Sequence, residues 1–188
     1  MKRAMTLIGL MMLAGPVMAN GVGPEEQSRA LADQFQGELM KALQGAIAEK
    51  GVAGAVGACT VIAPEIAQRL SAQSGAVVRR TALRTRNPAA KPDAHETAAL
   101  EDLATAPMAD GKPREVYGWV KTGDAETFRY MRAIPTGPVC VACHGSAIAP
   151  DVAAAIAKAY PQDAATGFAV GDLRGAFSIQ WSRDALSR

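Results

Sequence analysis

Two cysteines and a histidine are packed into five residues, Cys140-Val141-Ala142-Cys143-His144, and this C-x-x-C-H run constrains the chain more than any other feature. The spacing is that of c-type haem attachment. Two thiols one helical turn apart add across the two porphyrin vinyl groups, and the adjacent imidazole lands on one axial face of the iron. Three plainer readings compete: a disulfide, a thioredoxin-like redox pair, and half of a zinc site. A thioredoxin-like pair follows a strand inside a βαβ unit, whereas here the approach is the turn-rich Ile134-Pro135-Thr136-Gly137-Pro138. Zinc needs four ligands, and besides carboxylates the chain offers only Cys59, Cys140, Cys143, His95 and His144, with no second C-x-x-C or H-x-x-x-H. One covalently attached haem c is therefore the expected cofactor.

The amino terminus says where such chemistry takes place. Met1-Lys2-Arg3 is a short basic region, Ala4 to Ala14 is almost wholly apolar, and Val17-Met18-Ala19 ends in small residues suited to signal peptidase. Residues 1–19 read as a signal peptide and 20–188 as a single mature domain. The apolar stretch is too short to anchor in a hydrocarbon core of roughly 30 Å, so a soluble periplasmic protein is expected. Lys2 and Arg3 leave with the signal, which balances Lys+Arg at 18 against 18 Asp+Glu. No basic run then remains to suggest a nucleic-acid partner or an anionic membrane surface. Among the methionines, Met40, Met108 and Met131 stay in the mature chain as possible thioether ligands.

Periodicity predicts helices first and a mixed region after them. Leu31, Phe35, Leu39, Leu43 and Ile47 mark one face of a long helix over about 25–50, with Gly51 as its stop. Residues 52–59 are nearly all small, a composition that suits either tight helix packing or close backbone approach to a flat group. Pro64 is read as a helix start and Gly75 as its end. A strand is expected over 76–83, a loop over 84–93 and a helix over 95–105. An antiparallel hairpin follows from 115–121 and 127–134, then a helix over 150–159 and a last strand over 175–182.

The haem motif comes late, after the hairpin, unlike the all-helical small cytochromes. Residues 145–188 hold neither Met nor His, so a second protein ligand has to come from upstream unless Lys158 or an oxygen ligand serves. Cys59, His95, Met40, Met108 and Met131 are the candidates. Cys59 is the odd thiol left once the motif cysteines are thioether-linked; its plain reading is a small buried hydrophobe.

Ala58-Cys59, the run Ile62-Ala63-Pro64-Glu65-Ile66-Ala67, Val78-Arg79-Arg80-Thr81, Arg84-Thr85-Arg86-Asn87-Pro88, Cys140 to Gly145 and Gly171-Asp172-Leu173-Arg174-Gly175 form a wider pattern. Together they resemble a family of haem-binding domains of unknown function, the Tll-type haem domains grouped with a cyanobacterial lumenal haem protein. The resemblance implies an α+β, PAS-like fold: an antiparallel sheet of about five strands flanked by helices, with a long N-terminal helix. It also implies an axial pair of His144 and the thiolate of Cys59. Arg79, Arg84, Arg86 and Arg174 are candidate contacts for haem propionates, since guanidinium meets a carboxylate with two parallel hydrogen bonds.

Two function classes follow, electron carrier and redox or gas sensor. A six-coordinate iron offers no open position, so no enzyme is expected. The partner would be a redox or signalling protein, because no signalling segment is fused to these residues.

Overall fold

The computed structural model describes residues 22–187, and side chains at 58 and 59 lie outside that description. The proposed signal peptide, residues 1–19, also falls outside the described residues. Helix α1 runs Pro24–Ser74 and is broken at Gly51, whose φ of 69° and ψ of 176° are open essentially only to glycine. The chain bends again, by 87°, between the arms Pro24–Gly57 and Thr60–Ser74. Gly51 interrupts the helix as expected, but helix resumes at once, so the small-residue segment is helical. Pro64 consequently lies inside the helical run rather than at its start. It stands in the second turn of the second arm, one residue past the four whose N–H groups have no helical partner. Gly75, with φ 80°, closes the helix in the left-handed region, donating its N–H to Ser71 O.

Strands β1 (Val77–Thr81), β4 (Glu115–Thr122), β5 (Ala125–Pro135) and β6 (Leu173–Ser182) form one antiparallel sheet in the order β1-β6-β5-β4. Helix α2 (Ala94–Thr105), one-turn α3 (Val141–His144), α4 (Pro150–Ala159) and short α5 (Arg183–Leu186) complete the α+β architecture. Two further strands, β2 (Met108–Ala109) and β3 (Lys112–Pro113), make a separate ribbon that the periodicity reading passes over. Its signal is Asp110-Gly111, with φ of 50° and 74°, a two-residue hairpin turn.

Alternation along the strands gives the sheet two apolar faces. Val78, Phe128, Tyr130, Phe177, Ile179 and Trp181 pack against Phe35, Ile66 and Leu70 of both arms of α1. Phe35 and Phe177 meet at 5.2 Å between ring centroids. Trp181 donates its indole N–H to Ser28 Oγ at 2.8 Å, so this buried aromatic has its polar atom satisfied. On the opposite face Met131, Ala133 and Ala176 receive Leu100 and Leu103 of α2. A capping box, Asp93 with Glu96, sets the start of that helix. A third cluster joins Val52, Ala53 and Val56 of α1 to Val152 and Ile156 of α4 and to Cys143. It brings the haem motif beside the bend of α1. Among the described residues no single helix is long and apolar enough to cross a membrane.

Candidate haem-binding site

The register of β5 on β6 shifts between Ile134 and Pro135, and there the chain leaves the sheet. Thr136 is then pinned at both backbone atoms: its N–H donates to Asp172 O at 2.8 Å and its carbonyl accepts from Gly171 N at 2.9 Å. A tight turn follows, with Cys140 N donating to Gly137 O at 3.0 Å. One turn of helix carries Cys140, Cys143 and His144, all half-buried, and His144 N donates to Cys140 O at 2.9 Å. The turn ends at Gly145, where an added Cβ would lie 2.6 Å from Val141 O.

The loop between Tyr160 and Asp172 wraps the histidine side of this turn. Gly167 N donates to Gly145 O and Phe168 N to His144 O, both at 2.9 Å. The Phe168 ring stands edge-on to the imidazole, 6.4 Å between centroids. His144 Nδ1 lies 2.7 Å from Ala165 O and 3.2 Å from Arg174 Nε. A carbonyl only accepts and a guanidinium only donates, so the two contacts demand opposite states of Nδ1. The shorter contact decides for a proton on Nδ1, which leaves the lone pair on Nε2, the nitrogen that can ligate a metal. Burial, aided by Arg174 and Arg86, pushes the His144 pKa down to about 3, so the ring is neutral near pH 7.

Arg86 ties the loop to the motif. It grips Asp163 with a fork, Nε to Oδ1 at 3.1 Å and Nη2 to Oδ2 at 3.0 Å, and donates to Cys143 O at 2.6 Å. Arg84 lies over the Phe168 ring, 4.2 Å from its centroid. Arg174, from β6, lies 5.4 Å from the same ring. Burial, with Arg80 and Arg86 nearby, pushes the Arg174 pKa down to about 9.

Arg84, Arg86 and Arg174 of the sequence-derived candidates thus gather around His144. Arg79 does not: it donates to Glu96 at 3.3 Å and to the carbonyls of Ala89 and Lys91, under α2 on the other sheet face. Its neighbour Arg80 is the strand residue whose charge acts on His144 and Arg174. Buried Val78 marks one inward face of β1, and period-two alternation from it puts Arg80 on that face; the adjacent Val77 and Val78 leave that choice open in the sequence. Ala165, whose backbone carbonyl orients the histidine, left no sequence signal because any residue supplies a carbonyl.

The upstream ligand candidates are scattered. His95 is exposed at the start of α2, Met108 is exposed, Met40 is half-buried, and Met131 is buried on the α2 face of the sheet. The Cys59 side chain lies outside the described residues, but Val52, Ala53 and Val56, just before it, pack in one cluster with Cys143. Among the described residues no three His, Cys, Asp or Glu side chains gather as a metal-ion site. The donor set fits haem: two thiols and an imidazole on one turn, Nε2 bare, and Arg80, Arg84, Arg86 and Arg174 near His144.

A family model described as Tll0287-like matches residues 12–182. The crystal structure of the cyanobacterial heme-protein Tll0287 superposes with a TM-score of 0.64 at 25% identity, covering 86% of this chain and 98% of that one. No curated protein matches.

Proposed function

This chain belongs to the Tll0287-like family, and from that premise we propose that it is an exported haem protein with one haem c on Cys140 and Cys143. The observation that supports this best is the His144 Nδ1 to Ala165 O contact of 2.7 Å, which turns Nε2 into a ready ligand beside the two thiols. When bound, haem supplies one-electron redox chemistry at iron. His144 would ligate the iron through Nε2, with its ring angle set by the Ala165 carbonyl and the Phe168 edge. Cys59 would offer its thiolate as a second ligand; residues 52–56, just before it, pack with α4 and Cys143. An anionic sulfur favours ferric iron, so the protein works at low potential.

The role is electron transfer or redox sensing in the periplasm, without enzymatic turnover. As a sensor, Cys59 would gain proton affinity when the bound iron is reduced, and its release would free the segment 52–57 to shift against α4. A carrier keeps Cys59 in place in both oxidation states.

Acid–solvent extraction tests attachment: the mature protein should retain its colour and weigh one haem more than the polypeptide. Colour lost to the solvent overturns the covalent reading. In the same preparation, Cys59→Ser should abolish a low-spin ferric spectrum with sulfur-to-iron charge transfer. Carbon monoxide binding by the reduced form separates the sensor from the carrier, which should refuse it.

A further inference from the structure

Beside Arg174, whose Nε lies 3.2 Å from His144 Nδ1, the surface opens into a groove of about 330 Å³. Leu83, Pro107 and Leu173 give it apolar walls, and Arg84, Phe168 and Arg174 line its polar end. Both guanidinium groups lie close to the one phenyl ring, and Arg174 Nη1 donates to Arg84 O at 3.3 Å. Their other close polar contacts are with neutral groups, Arg84 donating to Ala164 O and Arg174 Nε lying 3.2 Å from His144 Nδ1. The contact with His144 is the one that the Nδ1 proton opposes, so the Arg174 Nε–H has no acceptor of its own there. Neither arginine forms an ion pair among the described residues. The nearby Asp163 is held by the Arg86 fork, and Asp172, which also lines the groove, accepts the Ala169 N–H at 2.7 Å.

Two like charges held on one ring repel, and the groove keeps an excess positive charge even with Asp172 counted. An anion with two oxygens relieves both repulsion and unused donors, because guanidinium binds a carboxylate in a planar fork. We propose that the Arg84–Phe168–Arg174 groove receives a carboxylate carried on an apolar body. The proposal rests on the haem reading for its electrochemical consequence, since Arg174 touches the ligand histidine. Two sources share this chemistry: a propionate of the attached haem, and a free organic acid that enters from solvent. A free acid would act as an effector, because neutralising positive charge beside His144 favours ferric iron.

Purified holoprotein, R84Q/R174Q and R84K/R174K are compared by calorimetry with sodium benzoate, by potentiometry with and without benzoate, and by redox-difference infrared spectroscopy. A free-acid site predicts saturable benzoate binding to the wild type. Its potential should fall by the 59 mV per tenfold of a one-electron couple when ferric binding is tenfold tighter, and R84Q/R174Q should respond to neither. A propionate site predicts no benzoate binding, haem carboxylate bands displaced in R84Q/R174Q, and bands restored in R84K/R174K. Absent benzoate binding together with unchanged carboxylate bands overturns the proposal. Arg84→Gln alone, at an exposed residue, repeats each measurement should the double variant fail to fold. If no haem is attached in the wild type, the haem reading fails, and benzoate calorimetry alone then decides for or against the groove.

Discussion

Gly145 shows how little room the motif leaves. Its φ of −74° is ordinary, so the demand is steric: a Cβ would meet Val141 O at 2.6 Å and Val141 Cβ at 3.1 Å. Gly145→Ala should therefore open the last turn of α3 and loosen the Gly167 N–H bond to Gly145 O. A loss of about 1–3 kcal/mol in urea unfolding, with lower haem occupancy, is the expected outcome. Asp163 acts through charge. Burial alone would raise its pKa, but the Arg86 fork and the Ala165 N–H hold it below the usual carboxylate range. A depressed folded pKa means that the stabilisation is complete above the unfolded value, about 3.9, and is lost as pH falls through the folded one. Acid unfolding of the wild type should show this loss, while Asp163→Asn should be less stable by about 3 kcal/mol near neutrality and lack that share of the pH dependence. The C-x-x-C-H residues were legible from spacing alone. Ala165 was not, because its contribution is a carbonyl delivered by a loop.

At the scale of elements, the helices and strands follow periodicity closely. The α4 range and the β4–β5 hairpin stand where the sequence predicts them, because their apolar spacing and turn residues agree. The choice between neighbouring arginines shows the limit of that reading. Arg79 and Arg80 are equivalent in composition, yet pleating sends Arg79 to buried Glu96 and Arg80 towards His144. Gly51 matters for a different reason. Its φ of 69° and ψ of 176° place residues 52–57 against α4, and an alanine there would be strained. Gly51→Ala should cost about 1–3 kcal/mol and, because Val52, Ala53 and Val56 share a cluster with Cys143, should also perturb the absorption spectrum of the holoprotein. A loss of stability with an unaltered spectrum would separate the helix bend from the site.

Across the whole molecule, the sheet separates support from chemistry. One face carries the aromatic core under α1, the other is closed by α2, and the motif hangs from the end where β5 leaves the sheet. Phe177 is buried in that core, in contact with Phe35, and lies under the Arg132 guanidinium at 5.5 Å. Phe177→Ala should cost about 3–5 kcal/mol, measured by denaturant unfolding, while the haem spectrum of the folded fraction stays as in the wild type. By itself the sequence determined the attachment motif, the order of helices and strands, and the family pattern, because these depend on spacing along the chain. Only the tertiary structure decided which arginines face His144, which carbonyl fixes its tautomer, and that a groove opens beside Arg174. Those depend on which residues distant in sequence meet, as Arg86 meets Asp163 across 77 positions, and no local pattern encodes such a meeting.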